Sequence, residues 1–206
     1  MKIGNDLKIF VDRRFLVNSY LLTIEKTCVL IDPGLNAKAI ESFIQANHLI
    51  LVGIILTHGH YDHIGNTFDL ARKYQVQVYL HQDEKLVVER HNFAKELNLP
   101  IDIDFNFIQY FQDVTLTIGK FVFSILLLKG HTPGGIILRY HNYLFSGDTV
   151  FYDSVGRTDL MLGDPKQMEA SLKLFYKYCN DTDWILPGHG PNGQWAEIKI
   201  HNPYFK

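Results

Sequence analysis

The sequence is short of several things, and each shortage excludes a class. Only two cysteines occur among 206 residues, Cys28 and Cys179. That is too few for a disulfide framework, and a reducing cytoplasm is the expected setting. Neither sign of charge is in excess: 20 Lys and Arg stand against 22 Asp and Glu, a formal net charge of -2. The basic residues are scattered, so no cationic stripe faces a phosphate backbone and nucleic acid is not an expected partner. Long apolar runs are missing too. FVFSILLL at 121–128 is the longest; a bilayer needs roughly 20 residues, so no membrane partner is expected and the run reads as a buried strand. MKIGNDLKIF at the start puts polar residues where an export signal needs an apolar stretch. With no solenoid-period repeat, low-complexity tract or linker, one domain over 1–206 is expected.

What is present alternates. YLLTIE and TCVLID flank a short turn and read as an antiparallel pair, the second stopping at Asp32-Pro33-Gly34. Residues 36–48 have apolar positions at helical spacing with Asn36 as the expected cap, and VGIILT (52–57) reads as a strand buried on both faces. GNTFDLARKYQ is expected to be helical, VQVYLH a strand, and 83–97 a helix whose acidic start suits the dipole. From 111 onward FQDVTLTIG, KFVFSILLLKG, GGIILRY and NYLFSGD follow as strand-like runs, before a helix over 164–179 and the strand DWILPG. Two mixed sheets with helices outside fit this order better than one parallel sheet.

Residues 57–65, THGHYDHIG, concentrate metal-type ligands directly after VGIIL. His58 and His60 are two apart, so extended backbone points both rings to one side, where they can grip one ion. Asp62 and His63 follow in a turn closed by Gly65, and that bend lets their side chains face a second point. His131 in LKGHTPGG, Asp148 in LFSGDTVF and His189 in ILPGHG each end a later strand-like run beside glycine. Taken singly, each reads better as a turn residue. Together, five histidines and two aspartates give each of two ions three protein ligands with one carboxylate bridging them. Asp32 is read as structural, accepting backbone hydrogen bonds near the site. His48, His81, His91, His141 and His201 have no matching context and read as surface or core histidines, Tyr61 and Tyr152 as packing residues, and Met161 and Leu162 as an exposed loop.

HGHYDH, GHTPGG, SGDTVF and PGHG, in this order, resemble the signature set of the metallo-β-lactamase fold superfamily. Within it, GDTVFYDSVGRTDL and the tail PGHGPNGQWAEIKIHNPYF resemble the small members related to glyoxalase II, the hydroxyacylglutathione hydrolase-like proteins. The resemblance spans essentially the whole chain. It implies an α/β fold, an αββα sandwich of two mixed β-sheets flanked by helices, with the site in a cleft where loops of both sheets meet. His58, His60 and His131 would then hold one divalent metal, Asp62, His63 and His189 the other, and Asp148 would bridge. Zn2+ is the expected metal, with Fe or Mn as alternatives. A hydroxide between the ions would attack, the cations lowering its pKa and polarising the carbonyl, so that Asp62 and Asp148 serve catalysis through the metals. Hydrolysis of a small-molecule thioester is the implied reaction, since a thiolate leaves without a strong general acid.

Departures from the family qualify this picture. Only 17 residues follow His189, whereas full-length glyoxalase II adds a helical C-terminal domain that helps hold glutathione, so the thiol is left open. Arg157 falls where that enzyme keeps a cationic residue and is read as either a substrate anchor or an ion-pair partner of Asp159. Gly135 widens the space near His131, and Gly193 and Gln194 replace small hydroxyl residues common in relatives, which alters loop support without removing a ligand. Two alternatives stay open: an oxidoreductase like the persulfide dioxygenases, which share the fold and hold one iron with two histidines and an aspartate, and a metal-stabilised binding protein without turnover. An RNA-cutting or β-lactamase role is not expected from this charge balance and this opening segment.

Overall fold

In the computed structural model, which describes residues 4–90, 102–160 and 162–206, two six-stranded mixed sheets pack face to face. The first runs in chain order through β1 (Leu7–Val11), β2 (Asn18–Ile24), β3 (Thr27–Ile31), β4 (Ile50–Ile55), β5 (Val78–His81) and β6 (Ile108–Phe111). Its first three strands are antiparallel neighbours; β3 to β6 are parallel. The second sheet is an antiparallel run of β7 (Thr115–Ile118), β8 (Phe121–Leu127), β9 (Ile136–Tyr140) and β10 (Tyr143–Gly147). It continues with β11 (Trp184–Pro187), parallel to β10, and the two-residue β12 (Gly193–Gln194). Tight turns join β2 to β3, β7 to β8 and β9 to β10, longer loops join the other antiparallel neighbours, and helix-bearing connections give the parallel pairs.

Helix α1 (Ala37–Ala46) carries the chain from β3 to β4, α2 (Tyr61–Ile64) and α3 (Thr67–Tyr74) from β4 to β5, and α4 (Lys85–Arg90) follows β5. On the second sheet α5 (Pro165–Tyr178) joins β10 to β11, and α6 (Trp195–His201) follows β12. Among the described residues no helix is long and apolar enough to cross a membrane.

Successive residues of the strands face opposite layers, and both layers are covered. Leu22, Ile31, Ile55, Leu138, Phe145 and Leu186 meet between the sheets. Their chain neighbours Leu21, Leu30 and Ile54 pack instead against Ile40, Ile44 and Phe68 of the outer helices. In the same way Ile137, Leu144 and Ile185 pack against Met168, Phe175 and Trp195. This double burial explains why VGIIL reads as a continuous apolar run; FVFSILLL differs, because along β8 Phe121, Phe123 and Ile125 are buried while Val122 and Ser124 are exposed.

The expected elements form, with differences. Asp164 caps α5, its Oδ1 accepting from the backbone of Lys166 and Gln167 at 2.8 and 3.1 Å, with Pro165 in the first turn. Asn36 precedes α1 without capping it; its amide donates to Ser19 Oγ at 3.1 Å instead. Strands β1 and β6 were not expected. LKIFV is half-exposed along its length, and IQYF continues into FQDV without a break in composition, so neither carries a clear period. Of the helix expected over 83–97, the described part is a 3-10 turn, Gln82–Glu84, followed by α4. The remainder lies outside the described residues, as do His91 and Met161.

Candidate metal centre

Four connections converge at one edge of the sandwich: the segments after β4, β10 and β11, and the loop leading into β9. After β4 the chain stays extended through His60, at φ -70° and ψ 148°, before one helical turn, α2, presents Asp62 and His63. The expected simple turn is thus a short helix. Gly65, at φ -27°, is needed there for space: a Cβ would lie 2.6 Å from Leu35 Cδ2 and 3.0 Å from the Gly34 carbonyl.

All seven residues singled out as ligands come together. One donor atom each from His58, His60 and His131 lies within 4.8 Å of the others, and the same holds for Asp62, His63 and His189. Asp148 stands between the groups. Its Oδ2 is 3.5 Å from His131 Nε2 and 3.5 Å from His189 Nε2, while Oδ1 is 3.2 Å from His63 Nε2. His60 Nδ1 approaches His131 Nε2 to 2.9 Å, and His189 Nε2 lies 3.2 Å from Asp62 Oδ2. Room for Asp148 depends on Gly188, where a Cβ would collide with the carboxylate and come within 2.6 Å of the His63 ring.

The rings are held by partners on their far sides. His131 Nδ1 lies 2.8 Å from the Arg157 carbonyl; a carbonyl only accepts, so Nδ1 carries the proton and Nε2 faces the cluster bare. His63 Nδ1 donates to Asp32 Oδ2 at 3.0 Å, which turns its Nε2 toward the cluster. Asp32 also accepts from the Thr57 amide at 2.8 Å and the Thr57 hydroxyl at 2.6 Å. The structural reading of Asp32 is therefore correct, and the same carboxylate also orients His63. His58 Nε2 is buried with no hydrogen-bond partner, and the buried His63 Nε2 and Asp148 Oδ1 face each other at 3.2 Å; buried donor atoms turned toward one another in this way fit a cation site.

Electrostatics divide the cluster. Burial and then the neighbouring His63 and His60 hold His58 well below the usual histidine range, and burial with His131 brings His60 down to about 3. Burial would lower His63 as well, but Asp148, Asp62 and Asp32 outweigh it and hold the ring well above that range. Bonds to Asp148 and Asp62 overcome burial to raise His189 to about 10. The metal-free chain thus keeps the extra protons on the carboxylate side and leaves His58 and His60 neutral.

Stability should follow these opposite shifts. Below the ordinary histidine value of 6.5, His58 and His60 take up protons only on unfolding, so stability falls as the pH drops from there. His63 and His189 hold protons in the folded chain that the unfolded one releases above 6.5. Their contribution is complete below that value and is lost as the pH rises toward about 10. Glu84, pushed up to about 7 by burial, adds to the alkaline decline and offsets one histidine on the acid side. Thermal unfolding of chelator-treated protein is expected to peak near pH 6.5; a melting temperature rising steadily to pH 9 would contradict this distribution of charge.

Glu84 was not legible as a site residue. Its fully buried carboxylate accepts from the Gly59 amide at 2.7 Å and from the Gly134 amide at 2.6 Å, joining the two ligand-bearing loops. Arg157 contributes its carbonyl to His131, while its side chain forms an exposed two-bond pair with Asp159 at 2.7 and 2.8 Å and borders a cavity of about 780 Å³ alongside α5. Tyr61 and Tyr152 pack as expected, the first edge-on to Phe15, the second stacked on His201. His48 and His141 are exposed, and His81 closes the turn before α4 through Asp83.

The family model of the metallo-beta-lactamase superfamily matches residues 12–189. A probable metallo-hydrolase of Bacillus subtilis, YqgX, is 29% identical over 194 residues, covering 91% of either chain. The hydroxyacylglutathione hydrolase GloC of Haemophilus influenzae is 32% identical over 186 residues, 87% of this chain and 88% of that one. Among solved structures, the BLEG-1 B3 metallo-beta-lactamase superposes with a TM-score of 0.89 at 30% identity, covering 97% of this chain and 99% of its own. TTHA1623 in a di-iron-bound form gives 0.85 at 30% identity, over 96% and 99%.

Proposed function

The chain belongs to the metallo-β-lactamase superfamily, and from that premise we propose a metal-dependent hydrolase, one domain over 1–206, that cleaves the thioester of a small thiol. The observation that carries this reading is Asp148, one carboxylate facing His131 and His189 through Oδ2 and His63 through Oδ1. His58, His60 and His131 would hold one divalent cation, Asp62, His63 and His189 a second, with Asp148 shared. The buried, unpartnered His58 Nε2 and the buried His63 Nε2 and Asp148 Oδ1 that face each other at 3.2 Å fit that assignment.

When bound, such cations supply an activated water, with a pKa lowered toward roughly 7, and a Lewis acid for the carbonyl. The protein's own part is orientation. Asp32 and the Arg157 carbonyl fix the tautomers of His63 and His131, and the low local polarity keeps His58 and His60 unprotonated for ligation. No side chain need act as a strong acid, because a thiolate is a good leaving group. Arg157 would anchor an anionic part of the thiol. Its pair with Asp159 leaves the two side chains 63% and 69% exposed, so it is weak and exchangeable for a substrate carboxylate.

The likeness to GloC supports a hydroxyacylglutathione-type substrate. Zinc is the proposed metal, with iron the alternative because TTHA1623 has a di-iron form. Free Cys28 and Cys179 support a reducing cytoplasm. The test is hydrolysis of lactoylglutathione, an aryl ester, a lactone and a β-lactam by zinc- and iron-loaded protein. Preferential thioester cleavage is expected. Oxygen uptake with glutathione persulfide and no thioester cleavage would overturn the reading in favour of an oxidoreductase, and ligand binding without any product would leave a binding protein.

A further inference from the structure

Glu84 sits in the turn between β5 and α4, completely buried. Among the described residues it has no Lys or Arg ion-pair partner. An anion buried in that way is costly, and a clasp needed only to join two loops is made more cheaply by a neutral group. Its two acceptors are divided: Oε2 takes the amide of Gly59, between His58 and His60, and Oε1 takes the amide of Gly134, three residues past His131. Both glycines are pressed against it. A Cβ at Gly59 would lie 3.2 Å from Oε2, and one at Gly134 would lie 2.7 Å from the Glu84 amide nitrogen. The opposite side of the cluster has its own acidic clasp, since Asp32 holds Thr57 and the His63 ring.

Resting on the metal centre proposed above, we infer that Glu84 is the positioning residue of the three-histidine point. One carboxylate sets the loop of His58 and His60 against the loop of His131, and it supports that point rather than the one formed by Asp62, His63 and His189. When ionised, its carboxylate, in surroundings that screen poorly, also favours a cation held between those histidines. Asp32 supports the other point directly through His63, and touches the three-histidine point only through the Thr57 hydroxyl, 3.1 Å from His58 Nδ1.

Glu84→Gln keeps the volume but has a single carbonyl, so one amide keeps its acceptor while the other meets an NH2 group. Metal-free full-length protein is titrated with Co(II) alone against a competing chelator, following the visible absorption, in two backgrounds. In His189→Ala, which leaves the three-histidine point intact, Glu84→Gln is expected to weaken Co(II) binding by about 10-fold or more. In His131→Ala, which leaves the other point, it is expected to change binding less than about threefold, with circular dichroism unchanged in both. Equal weakening in the two backgrounds, or none in either, overturns the inference while the metal reading stands. Failure of the unmutated chain to take up Co(II) sinks the metal reading and this inference with it. Should Glu84→Gln not fold, Glu84→Asp, one methylene too short to span both amides, carries the same comparison with the same expected asymmetry.

Discussion

Asp148→Ala is expected to lose at least about 10³-fold in kcat/KM, equivalent to ~4 kcal/mol of transition-state stabilisation, together with half or more of the bound metal. Asp148 faces both donor groups. Its two oxygens reach His63, His131 and His189 within 3.5 Å, so alanine removes the shared ligand and the main counter-charge of two protonated histidines at once. Asp148→Asn separates the two effects. It keeps the volume above Gly188 and one acceptor, but not the charge, so the metal-free fold is expected to survive better than in the alanine variant while turnover stays at least about 100-fold down. Both variants are read by steady-state thioester hydrolysis beside metal content. A metal-replete Asp148→Ala protein with full activity would contradict the assignment.

Asp32→Ala should be the most costly change away from the donor atoms themselves. It strips acceptors from the Thr57 amide, the Thr57 hydroxyl and the His63 ring, all buried. Each unsatisfied buried donor costs about 1–3 kcal/mol. Asp32 also sits at φ +46°, where Asp and Asn are tolerated better than alanine. Together these predict a melting temperature lower by roughly 10 °C and metal affinity at the His63 point down by about 10- to 100-fold. Asp32→Asn offers an informative contrast. Its carbonyl can still accept from Thr57, but an NH2 group toward His63 favours the opposite tautomer, which puts a proton on Nε2 where a cation needs a lone pair. Recovery of stability without recovery of metal affinity is the expected pattern; a variant that regains both would assign Asp32 a purely structural role.

The residues that meet in the cluster were legible because they are read one at a time along the chain. His131, Asp148 and His189 each end an apolar run beside a glycine, and the close spacing of His58, His60, Asp62 and His63 survives folding as local geometry. The mixed two-sheet architecture was legible for a related reason: helical segments between strands force parallel pairs and tight turns force antiparallel ones. Glu84 was invisible. In DEKLVVER it is one of several acidic residues at a helix start, and its importance arises only when Gly59 and Gly134, from loops far apart in sequence, both meet it. Arg157 was singled out for its side chain, yet the atom that touches the cluster is its carbonyl, which any residue type supplies. Asn36 looked like a cap because Asn usually is one at that position, but Ser19 on the neighbouring strand claims its amide. Local pattern carried the donor atoms, and the groups that hold those donors in place came from long-range packing.

The central claim is that two cations are shared across Asp148. Elemental mass spectrometry on the protein, purified without added metal or chelator, tests it most directly. The account predicts close to two metal ions per chain, largely zinc, with the count falling sharply in Asp148→Ala. A value near zero that no divalent metal can raise, or two metals retained undiminished in that variant, would contradict it.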